Sequence, residues 1–329
     1  MKMMLKLNNK NLYDIAAVIV TFNREKFLLE LINGLQKQTY PLSITIIIDN
    51  SNNLDTLFSL KDHGIIDEIP KEGLDVDWER RGKFNNLDIL YIKSSKNIGG
   101  AGGFSVGLKK AFDIGYELFW LMDDDIEPLP EALEYQLKFL KISKCITPSK
   151  RAYDGEILHW WGWLDLKTLR EKPIPEKNIK NDYAEVNISC FEGLLIHKDI
   201  IAKIGFPNPE FFIYGDDVVY GYKASQHTKC IYLLKPTFIK KLKKKNFHKR
   251  FGKNYPFASR NLSYYLMRNY LLKAKEIKRT TPDKVNMPFI YIYHFYYYVK
   301  QMIKAVIIEW DLKKILILTR GFIDSFKIL

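Results

Sequence analysis

The stretch IAAVIVTFNREKFLLELINGLQKQTYPLSITIIIDNSN, residues 15–52, decides the fold class. It begins with a continuous apolar run over 15–23, which predicts a strand buried on both faces of a parallel sheet. The apolar residues that follow, from Phe27 to Leu35, recur at helical spacing. A second apolar run over 42–52 predicts another buried strand. Strand, helix and strand in this order predict an α/β fold with a mostly parallel sheet flanked by helices.

The same order continues outward from this stretch. DILYIKSSKN (88–97) and ELFWLMDDDI (117–126) predict a third and a fourth strand, with a short helix over 107–116 between them. Each predicted strand ends in polar or glycine-rich sequence, namely TFN, DN, NIGGAGG and DDD. Because the carboxyl ends of strands form the ligand-binding edge of an open α/β sheet, we expect these four groups to converge on one site.

After residue 150 the pattern is less regular. HWWGWLDL (159–166) predicts a strand, residues 183–205 predict strand, turn, strand and helix, and residues 211–224 predict a loop that leads into a helix. The lysine-rich residues 235–253 predict a basic loop, and the remainder predicts helices. We therefore expect a body over 1–255 and a C-terminal helical region over 256–329.

Composition excludes several classes of protein. With 329 residues, 47% hydrophobic and 27% charged, the chain is globular rather than disordered. Its three cysteines share no CxxC spacing, which excludes a disulfide scaffold and a zinc ribbon and fits a reducing compartment. Neither an apolar core of signal-peptide length nor a run of about 18 apolar residues is found, so we expect no spanning helix.

The charge of the chain is unevenly distributed. The net charge of +13 divides into −4 over residues 1–234, with 29 Lys/Arg and 33 Asp/Glu, and +17 over residues 235–329, with 22 and 5. MPFIYIYHFYYYV (287–299) adds an aromatic run to the basic part, and this combination favours helices that lie on an anionic membrane. The alternatives are a helical subdomain, a subunit interface in a homo-oligomer, or a nucleic-acid surface, which no recognised binding motif supports.

The segment NIGGAGGFSVG (97–107) contains five glycines. Glycine lets the backbone approach a ligand closely, so this segment is a candidate loop for a phosphate or a sugar. No Lys-Ser/Thr pair follows it, which excludes a P-loop. The alternative is a tight turn.

Three adjacent carboxylates in MDDDIEP (122–128) end the fourth predicted strand. Carboxylates this close repel one another, and a hard divalent cation such as Mg²⁺ or Mn²⁺ relieves the repulsion through oxygen ligands. We expect Asp123 and Asp125 to point to opposite sides, so that one can contact a nucleotide's sugar and the other the metal. The alternative is a solvated acidic turn.

Three further motifs offer candidate chemistry. GDD (215–217) is a candidate general base through one of its carboxylates. The alternative is a helix N-terminus, where capping favours Asp. His248 is a candidate metal ligand or a surface histidine of the basic segment. HWWGW (159–163) offers aromatic faces that stack on sugars, or core packing.

Together these motifs resemble family 2 glycosyltransferases with the GT-A fold. The resemblance rests on VIVTFNR, IIIDNSN, NIGGAGGF, MDDDI, WWGW, FEGLLI and GDD, in this order over residues 15–255. The pattern NxGGxGGF, then DDD and WWGW, is most similar to the galactofuranosyl- and rhamnosyltransferase-like branch. The resemblance implies that residues 1–255 form a catalytic domain that binds a nucleotide sugar, with UDP or dTDP as its nucleotide.

The resemblance also implies roles for individual residues. The family's first nucleotide-binding stretch matches Thr21, Asn23 and Arg24, and the acid that reads the base matches Asp49. The loop under the ribose and the pyrophosphate matches Asn97, Gly99, Gly100 and Gly103. The DxD-type site for donor and metal matches Asp123, Asp124 and Asp125, and the downstream metal ligand matches His248. The catalytic base matches Asp217, and contacts to the acceptor or the sugar match Trp160, Trp161, Glu192 and Asp216.

The implied reaction is an inverting, metal-dependent transfer. Asp217 takes the proton of an acceptor hydroxyl, which attacks the anomeric carbon opposite the nucleoside diphosphate, while Mn²⁺ or Mg²⁺ neutralises the leaving group. Family enzymes of this kind act on glycan or lipid-linked acceptors in bacterial surface polysaccharide synthesis, so we expect a cytoplasmic enzyme held peripherally on the inner face of the cell membrane. Two alternatives stay open. One is a nucleotidyltransferase, which would need a basic residue in the glycine segment, where none is found. The other is a catalytically silent glycan- or membrane-binding module.

Overall fold

The computed structural model describes residues 13–70, 77–158, 162–242, 247–250, 252–256 and 258–328, with the backbone alone at 247–249, 253 and 256. The β-strands of these residues are β1 (Ile15–Thr21), β2 (Ile44–Asp49), β3 (Trp78–Phe84), β4 (Leu87–Lys93), β5 (Leu118–Asp123), β6 (Ile126–Pro128), β7 (Cys145–Ala152), β8 (Ile157–Leu158), β9 (Trp163–Asp165), β10 (Arg170–Lys172), β11 (Tyr183–Val186), β12 (Leu194–His197), β13 (Cys230–Lys240), β14 (Phe247–Arg250) and β15 (Lys253–Pro256). The α-helices are α1 (Glu25–Gln36), α2 (Asp55–Asp62), α3 (Gly99–Ile114), α4 (Ala132–Leu137), α5 (Lys198–Ile204), α6 (Asp216–Ser225), α7 (Arg260–Thr280), α8 (Met287–Lys304) and α9 (Leu312–Lys327). A π-helical turn, Ala305–Glu309, follows α8.

A mixed sheet forms the middle layer of the molecule. Within the described residues it has eleven strands, in the order β11-β13-β7-β12-β5-β1-β2-β4-β3, with β6 beside β13 and β8 beside β7. The four central strands β5, β1, β2 and β4 are parallel, as the sequence predicts. Outside this centre β7 and β13 are also parallel, and the remaining pairs are antiparallel.

The apolar run of β1 is buried on both faces of this sheet. Its odd-numbered residues share a core cluster with Leu28 of α1, and its even-numbered residues share a second cluster with Leu108 of α3. Side chains alternate between the faces of a strand, so a strand covered on both sides needs an apolar residue at every position. This confirms the α/β fold class that residues 15–52 predict.

The glycine-rich segment is mostly helix. α3 begins at Gly99, so the predicted loop and the predicted tight turn are both wrong, and the predicted helix starts earlier than residue 107. A Cβ built at Gly103 would lie 2.7 Å from Cγ1 of Val20, and one at Gly99, where φ is +73°, would lie 2.1 Å from the carbonyl oxygen of Phe212. The glycines therefore let the start of α3 approach β1 and the segment before α6 closely.

The C-terminal helices pack against α6. Val219 of α6 shares a core cluster with Leu271 and Ile277 of α7, and Met267 of α7 packs with Leu318 of α9. The predicted C-terminal helices are confirmed. No helix in the described part of the chain is long and apolar enough to cross a membrane.

The predicted basic loop over 235–253 is wrong at 235–240 and 247–250, which are strands, while 243–246 and 251 lie outside the described residues. β13 continues to Lys240, and β14 pairs antiparallel with β15. The segment from Pro236 to Lys240 stays extended because it pairs with β7 on one side and β6 on the other. Pairing partners this distant in sequence outweigh the local signal of a lysine-rich stretch.

Candidate active site

The strand ends meet at the carboxyl edge of the parallel strands, as predicted. The N–H of Asn50 donates to the carbonyl oxygen of Thr21 (2.9 Å), and the N–H of Ser94 donates to that of Asp49 (2.9 Å). Oγ1 of Thr21 donates to Oδ2 of Asp124 (2.8 Å), which links β1 to the turn after β5. The ends of β1, β2, β4 and β5 therefore form one continuous surface.

Thr21, Arg24 and Asp124 form a wall of this surface. Nη1 of Arg24 donates to Oδ1 of Asp124 (2.9 Å), so both oxygens of this buried carboxylate are hydrogen-bonded. Burial raises the pKa of Asp124, and the charge of Arg24 opposes that rise. Beside them Asn23 has φ +52°, and its N–H donates to Oγ of Ser51 (2.8 Å). The structure thus brings the predicted nucleotide-binding residues together, while their roles stay predictions.

Asp49 is fully buried below the edge. Its Oδ1 accepts from the N–H of Ser51 (2.8 Å), its Oδ2 accepts from the hydroxyl of Tyr91 (2.5 Å), and Nζ of Lys93 lies 3.7 Å from Oδ2. Burial, with the adjacent charge of Asp49, raises the pKa of Tyr91 far above its usual range, so Tyr91 stays a donor. In this geometry Asp49 holds the end of β2, and its predicted contact with a base stays a prediction.

The predicted glycine residues lie between β1 and the segment 211–215. Oδ1 of Asn97 accepts from the N–H of Gly99 (2.8 Å), and Nδ2 of Asn50 donates to the carbonyl oxygen of Gly99 (2.8 Å). The N–H of Ala101 donates to the carbonyl oxygen of Phe212 (3.1 Å). Around Gly100 there is open space for a side chain, whereas Gly103 faces Val20. The first turn of α3 is thus fixed at the edge of the site.

An acidic cluster, defined as Asp123, Asp125 and Glu192, lies at the centre of the site. Each of the three residues offers an oxygen within 4.8 Å of the others. The prediction that Asp123 and Asp125 point to opposite sides is wrong, because both contribute oxygens to this cluster, and residues two apart in a strand share a face in any case. The alternative of a solvated acidic turn is also wrong, since Asp125 is only 2% exposed.

Two lysines reach into the acidic cluster. Nζ of Lys240 lies 3.0 Å from Oδ1 of Asp125 and also contacts Oε1 of Glu192. Nζ of the buried Lys150 lies 2.6 Å from Oε2 of Glu192. Burial raises the pKa of Asp123 to about 8 against the charge of Lys240, whereas the two lysines outweigh burial at Glu192 and hold its pKa well below the usual range. The acidic cluster therefore combines one proton-binding carboxyl with two paired carboxylates.

The donor set of the acidic cluster fits a hard divalent cation. Carboxylate oxygens are the ligands that Mg²⁺ and Mn²⁺ prefer, and Asp123, Asp125 and Glu192 supply three of them close together. The strand β14 contains His248, but its side chain lies outside the described residues. Its predicted metal contact therefore stays a prediction.

Asp216 and Asp217 begin α6, after Gly215 with φ +91°. Burial raises the pKa of Asp216 to about 6. Burial and the charge of Asp216 raise the pKa of Asp217 well above its usual range, and the charge of Asp123 adds to this. Oδ1 of Asp217 accepts from the N–H of Val218 (2.7 Å). The helix N-terminus predicted for GDD is thus confirmed, and its role as general base stays a prediction.

The segment before Asp216, residues 211–215, is held by α7. Phe212 and Tyr214 have positive φ values of +60° and +71°, a conformation that persists only where surrounding contacts impose it. Nδ2 of the buried Asn269 lies 2.9, 2.8 and 2.9 Å from the carbonyl oxygens of Phe211, Ile213 and Tyr214. One side chain of the C-terminal region thus fixes the path that leads to the acidic pair.

Sequence reasoning missed Lys150, Lys240 and Asn269. Lys240 is the first residue of a lysine run, and the only local signal of its burial is the extended pattern PTFI before it. Nothing in the sequence near Asn269 distinguishes it from other polar helical residues. The predicted sugar contacts Trp160 and Trp161 lie outside the described residues.

Comparisons with known proteins concern the family and the fold of this chain. Residues 16–205, more than half of the chain, match the model of the family described as "Glycosyl transferase family 2". Over 213 residues the chain is 23% identical to galactofuranosyltransferase GlfT1 of Mycolicibacterium smegmatis (strain ATCC 700084 / mc(2)155). That alignment covers 62% of this chain and 63% of the relative, so less than two thirds of the relative's length is spanned.

Solved structures show the same fold. The chain is similar to S. aureus TarS 1-349 in complex with UDP-GlcNAc, with a TM-score of 0.56, 17% identity and coverage of 95% of this chain and 79% of that one. GalNAc-T7 with UDP, GalNAc and Mn²⁺ gives a TM-score of 0.55 and 16% identity, with coverage of 84% and 55%. At these identities the likeness concerns the fold.

Proposed function

This chain belongs to glycosyl transferase family 2, and from that premise we propose that it transfers a hexose from a nucleoside-diphosphate donor to a hydroxyl of a glycan, with inversion at the anomeric carbon. The observation that carries the proposal is the carboxyl edge of the sheet. There the acidic cluster lies within electrostatic reach of Asp217, which starts a helix beside it. In a displacement reaction, a divalent-metal site suits the leaving diphosphate, and a separate carboxyl beside it suits the attacking hydroxyl.

Asp217 is the proposed base. Its raised pKa gives it a stronger hold on a proton than an exposed carboxylate has, which suits removal of a proton from an alcohol. In the proposed step the acceptor hydroxyl loses its proton to Asp217, its oxygen bonds to the anomeric carbon, and the bond from that carbon to the diphosphate oxygen breaks. The charge of the adjacent Asp216 contributes, after burial, to the raised pKa of Asp217.

Asp123, Asp125 and Glu192 are the proposed ligands of Mn²⁺ or Mg²⁺, with His248 as a further candidate. When bound, the cation would neutralise the charge that develops on the leaving diphosphate. Glu192 therefore moves from the acceptor contact implied by the resemblance to the metal side of the site, where Lys150 orients it. Thr21 and Arg24 fix Asp124 beside the cluster, so that these residues form the donor side.

The proposed donors are UDP-galactofuranose, dTDP-rhamnose or another UDP-hexose. The similarity to a galactofuranosyltransferase supports the first, and solved neighbours bound to UDP and UDP-GlcNAc support a uridine nucleotide. The proposed acceptor is a glycan or lipid-linked glycan of bacterial surface polysaccharide synthesis, because the basic C-terminal region suits a pyrophosphate-bearing lipid.

We also propose peripheral attachment to the inner face of the cell membrane. The apolar C-terminal face, as we name it, consists of exposed side chains on α8, the π-helical turn and α9: Ile292, Phe295, Val299, Ile303, Val306, Trp310, Leu312, Leu316 and Ile323. Their spacing of three or four residues along α8 places them on one side of the helix. Exposed basic residues, among them Lys300, Lys313 and Arg320, flank this face and complement anionic lipid.

A donor screen tests the proposed function. Purified protein with Mn²⁺, Mg²⁺ or EDTA receives a panel of nucleotide sugars, and the melting temperature and the release of nucleoside diphosphate are measured. We expect metal-dependent stabilisation by one donor class, since a ligand that binds only the native state raises its stability. No response to any donor, with or without a lipid-linked acceptor, would favour the silent binding module. Release of inorganic pyrophosphate from a nucleoside triphosphate would favour a nucleotidyltransferase.

A further inference from the structure

Lys240 occupies a position inside the acidic cluster. Its Nζ lies 3.0 Å from Oδ1 of Asp125 and contacts Oε1 of Glu192, two of the three proposed metal ligands. The Lys240 side chain is 21% exposed, and that of Asp125 is 3% exposed, so water screens this contact weakly. Its ammonium therefore competes for the carboxylate oxygens that a divalent ion needs.

The backbone fixes Lys240 in this place. Lys240 pairs with Ile126 across β13 and β6, and the N–H of Lys241 donates to the carbonyl oxygen of Asp125 (2.8 Å). Successive side chains of a strand point to opposite faces, and Lys241 accordingly pairs with Glu127 (2.7 Å) and Glu30, away from the cluster. The register of β13 thus places Lys240 at the acidic cluster and Lys241 outside it.

The charges of the cluster are already largely compensated without a metal. Lys150 holds Oε2 of Glu192, and Lys240 holds Oε1 of Glu192 and Oδ1 of Asp125. A divalent ion among these oxygens would lie a few ångströms from the Lys240 ammonium, and like charges at that distance in a poorly solvated site repel strongly. Metal entry and the present position of the Lys240 ammonium therefore oppose each other.

We propose that Lys240 is a built-in cation of the acidic cluster, and that a divalent ion binds there by displacing its ammonium from Asp125 and Glu192. The proposal rests on the proposed function for the identity of the metal ligands. It has two consequences. Lys240 weakens metal binding, and the same contacts keep the carboxylates paired when no metal is bound, so that folding does not require the metal.

The test compares Mn²⁺ binding by the full chain and by Lys240→Met, which keeps the length of the side chain and removes its charge. Calorimetric titration should give a dissociation constant at least tenfold lower for Lys240→Met. The matched control Lys241→Met makes the same change at the adjacent residue, whose partners lie outside the cluster, and should leave the constant within twofold of wild type. Unchanged or weaker Mn²⁺ binding by Lys240→Met would overturn the proposal.

Thermal unfolding supplies a second readout that needs no activity. Without metal Lys240→Met should melt below wild type, and Mn²⁺ should raise its melting temperature more than that of wild type. Adding Asp125→Asn to Lys240→Met should abolish the gain, and a gain that survives would place the metal elsewhere and contradict the proposal. If Lys240→Met does not fold, Lys240→Gln, which keeps a hydrogen-bond donor, replaces it under the same criteria. Donor binding is scored separately, so a tighter metal site without any donor response would contradict the proposed function alone.

Discussion

At the scale of the residue, burial decides which carboxyl groups of the site hold protons. Asp123, Asp216 and Asp217 lose solvation, and their pKa values rise, while Glu192 meets two lysines and its pKa falls. Carboxyl groups at one sheet edge thus acquire different proton affinities from their neighbours alone. Asp217 and Asp123 therefore share a raised proton affinity, whereas Glu192 stays ionised.

Replacement of the proposed base tests this assignment. Asp217→Asn should lower kcat by about 10²- to 10⁴-fold, the usual range for loss of a general base, and leave donor-induced stabilisation unchanged. In wild type, kcat/KM should rise with pH through a midpoint near or above 6, because the base acts only when ionised and the coupled pair has raised pKa values. Steady-state rates of nucleoside-diphosphate release from pH 4.5 to 8.5 measure both.

A matched control for Asp217 is Asp199, which lies in the first turn of α5 and pairs with Lys144. Asp199→Asn removes a carboxylate from the same helical position outside the site and should leave kcat unchanged. Near-normal turnover by Asp217→Asn would refute its role as the base.

At the scale of the element, α7 supports the start of α6. Its residue Asn269 contacts three carbonyl oxygens of the segment 211–215, and Nη1 of Arg268 donates to Oδ1 of Asn269 (2.9 Å) and to the carbonyl oxygen of Glu210 (2.7 Å). The left-handed residues Phe212 and Tyr214 lie between these contacts. The position of Asp217 therefore depends on a helix more than 40 residues further along the chain.

Asn269 is a positioning residue, and its replacement should separate chemistry from donor binding. Asn269→Ala should lower kcat by about 10- to 100-fold, because a misplaced base is far less effective, while the donor-induced rise in melting temperature persists. Asn261→Ala, at an exposed position of the same helix, serves as the control and should change neither quantity. Equal losses of donor binding and turnover would indicate general disruption instead, and an unchanged kcat would show that the segment keeps its path without Asn269.

At the scale of the whole molecule, the C-terminal helices present a large apolar surface. Trp310 and Leu316 are each 72% exposed, and other members of the apolar C-terminal face lie beside them. Two basic residues of these helices pair internally, since Nζ of Lys304 and Nζ of Lys314 lie 3.1 and 2.6 Å from Glu309. A face of this kind indicates a partner, and the exposed cations around it favour an anionic bilayer.

Liposome flotation tests the proposed attachment. Wild type should float with vesicles that contain anionic phosphatidylglycerol, less so with neutral vesicles, and less again at high salt, which screens the basic residues. Phe295→Asp with Leu316→Asp should abolish flotation. Phe58→Asp with Ile114→Asp makes the same change at exposed apolar residues of α2 and α3 and should float normally. If the Phe295→Asp, Leu316→Asp protein still floats, the proposed membrane contact is wrong. If light scattering shows that the same substitutions convert a dimer to a monomer, the face is a subunit interface instead.

The sequence predicts the elements whose signals are local. Strands β1, β2, β4 and β5, which end at the site, are predicted by their continuous apolar runs. The polar residues that follow these strands are correctly expected to meet. The failures involve distant partners. The local sequence predicts Lys240 in a solvated basic loop, and only the pairing of β13 with β6 places it at the acidic cluster. The sequence does not predict that α3 begins at Gly99, because glycine is unfavourable in helices. Gly103 of this helix packs closely on Val20, which explains why a glycine is present there.

The double role of α7 bears on how the catalytic part could be isolated. One stretch of α7 holds the segment 211–215 through Asn269, and Gly321 of α9 packs so closely on the same helix that a Cβ there would lie 2.8 Å from the carbonyl oxygen of Tyr264. A protein shortened to residue 255 would lose the amide that the three carbonyl oxygens contact and would expose the core face of α6. Point substitutions on the surface, rather than truncation, are therefore the way to test the proposed membrane attachment while the segment 211–215 keeps its support.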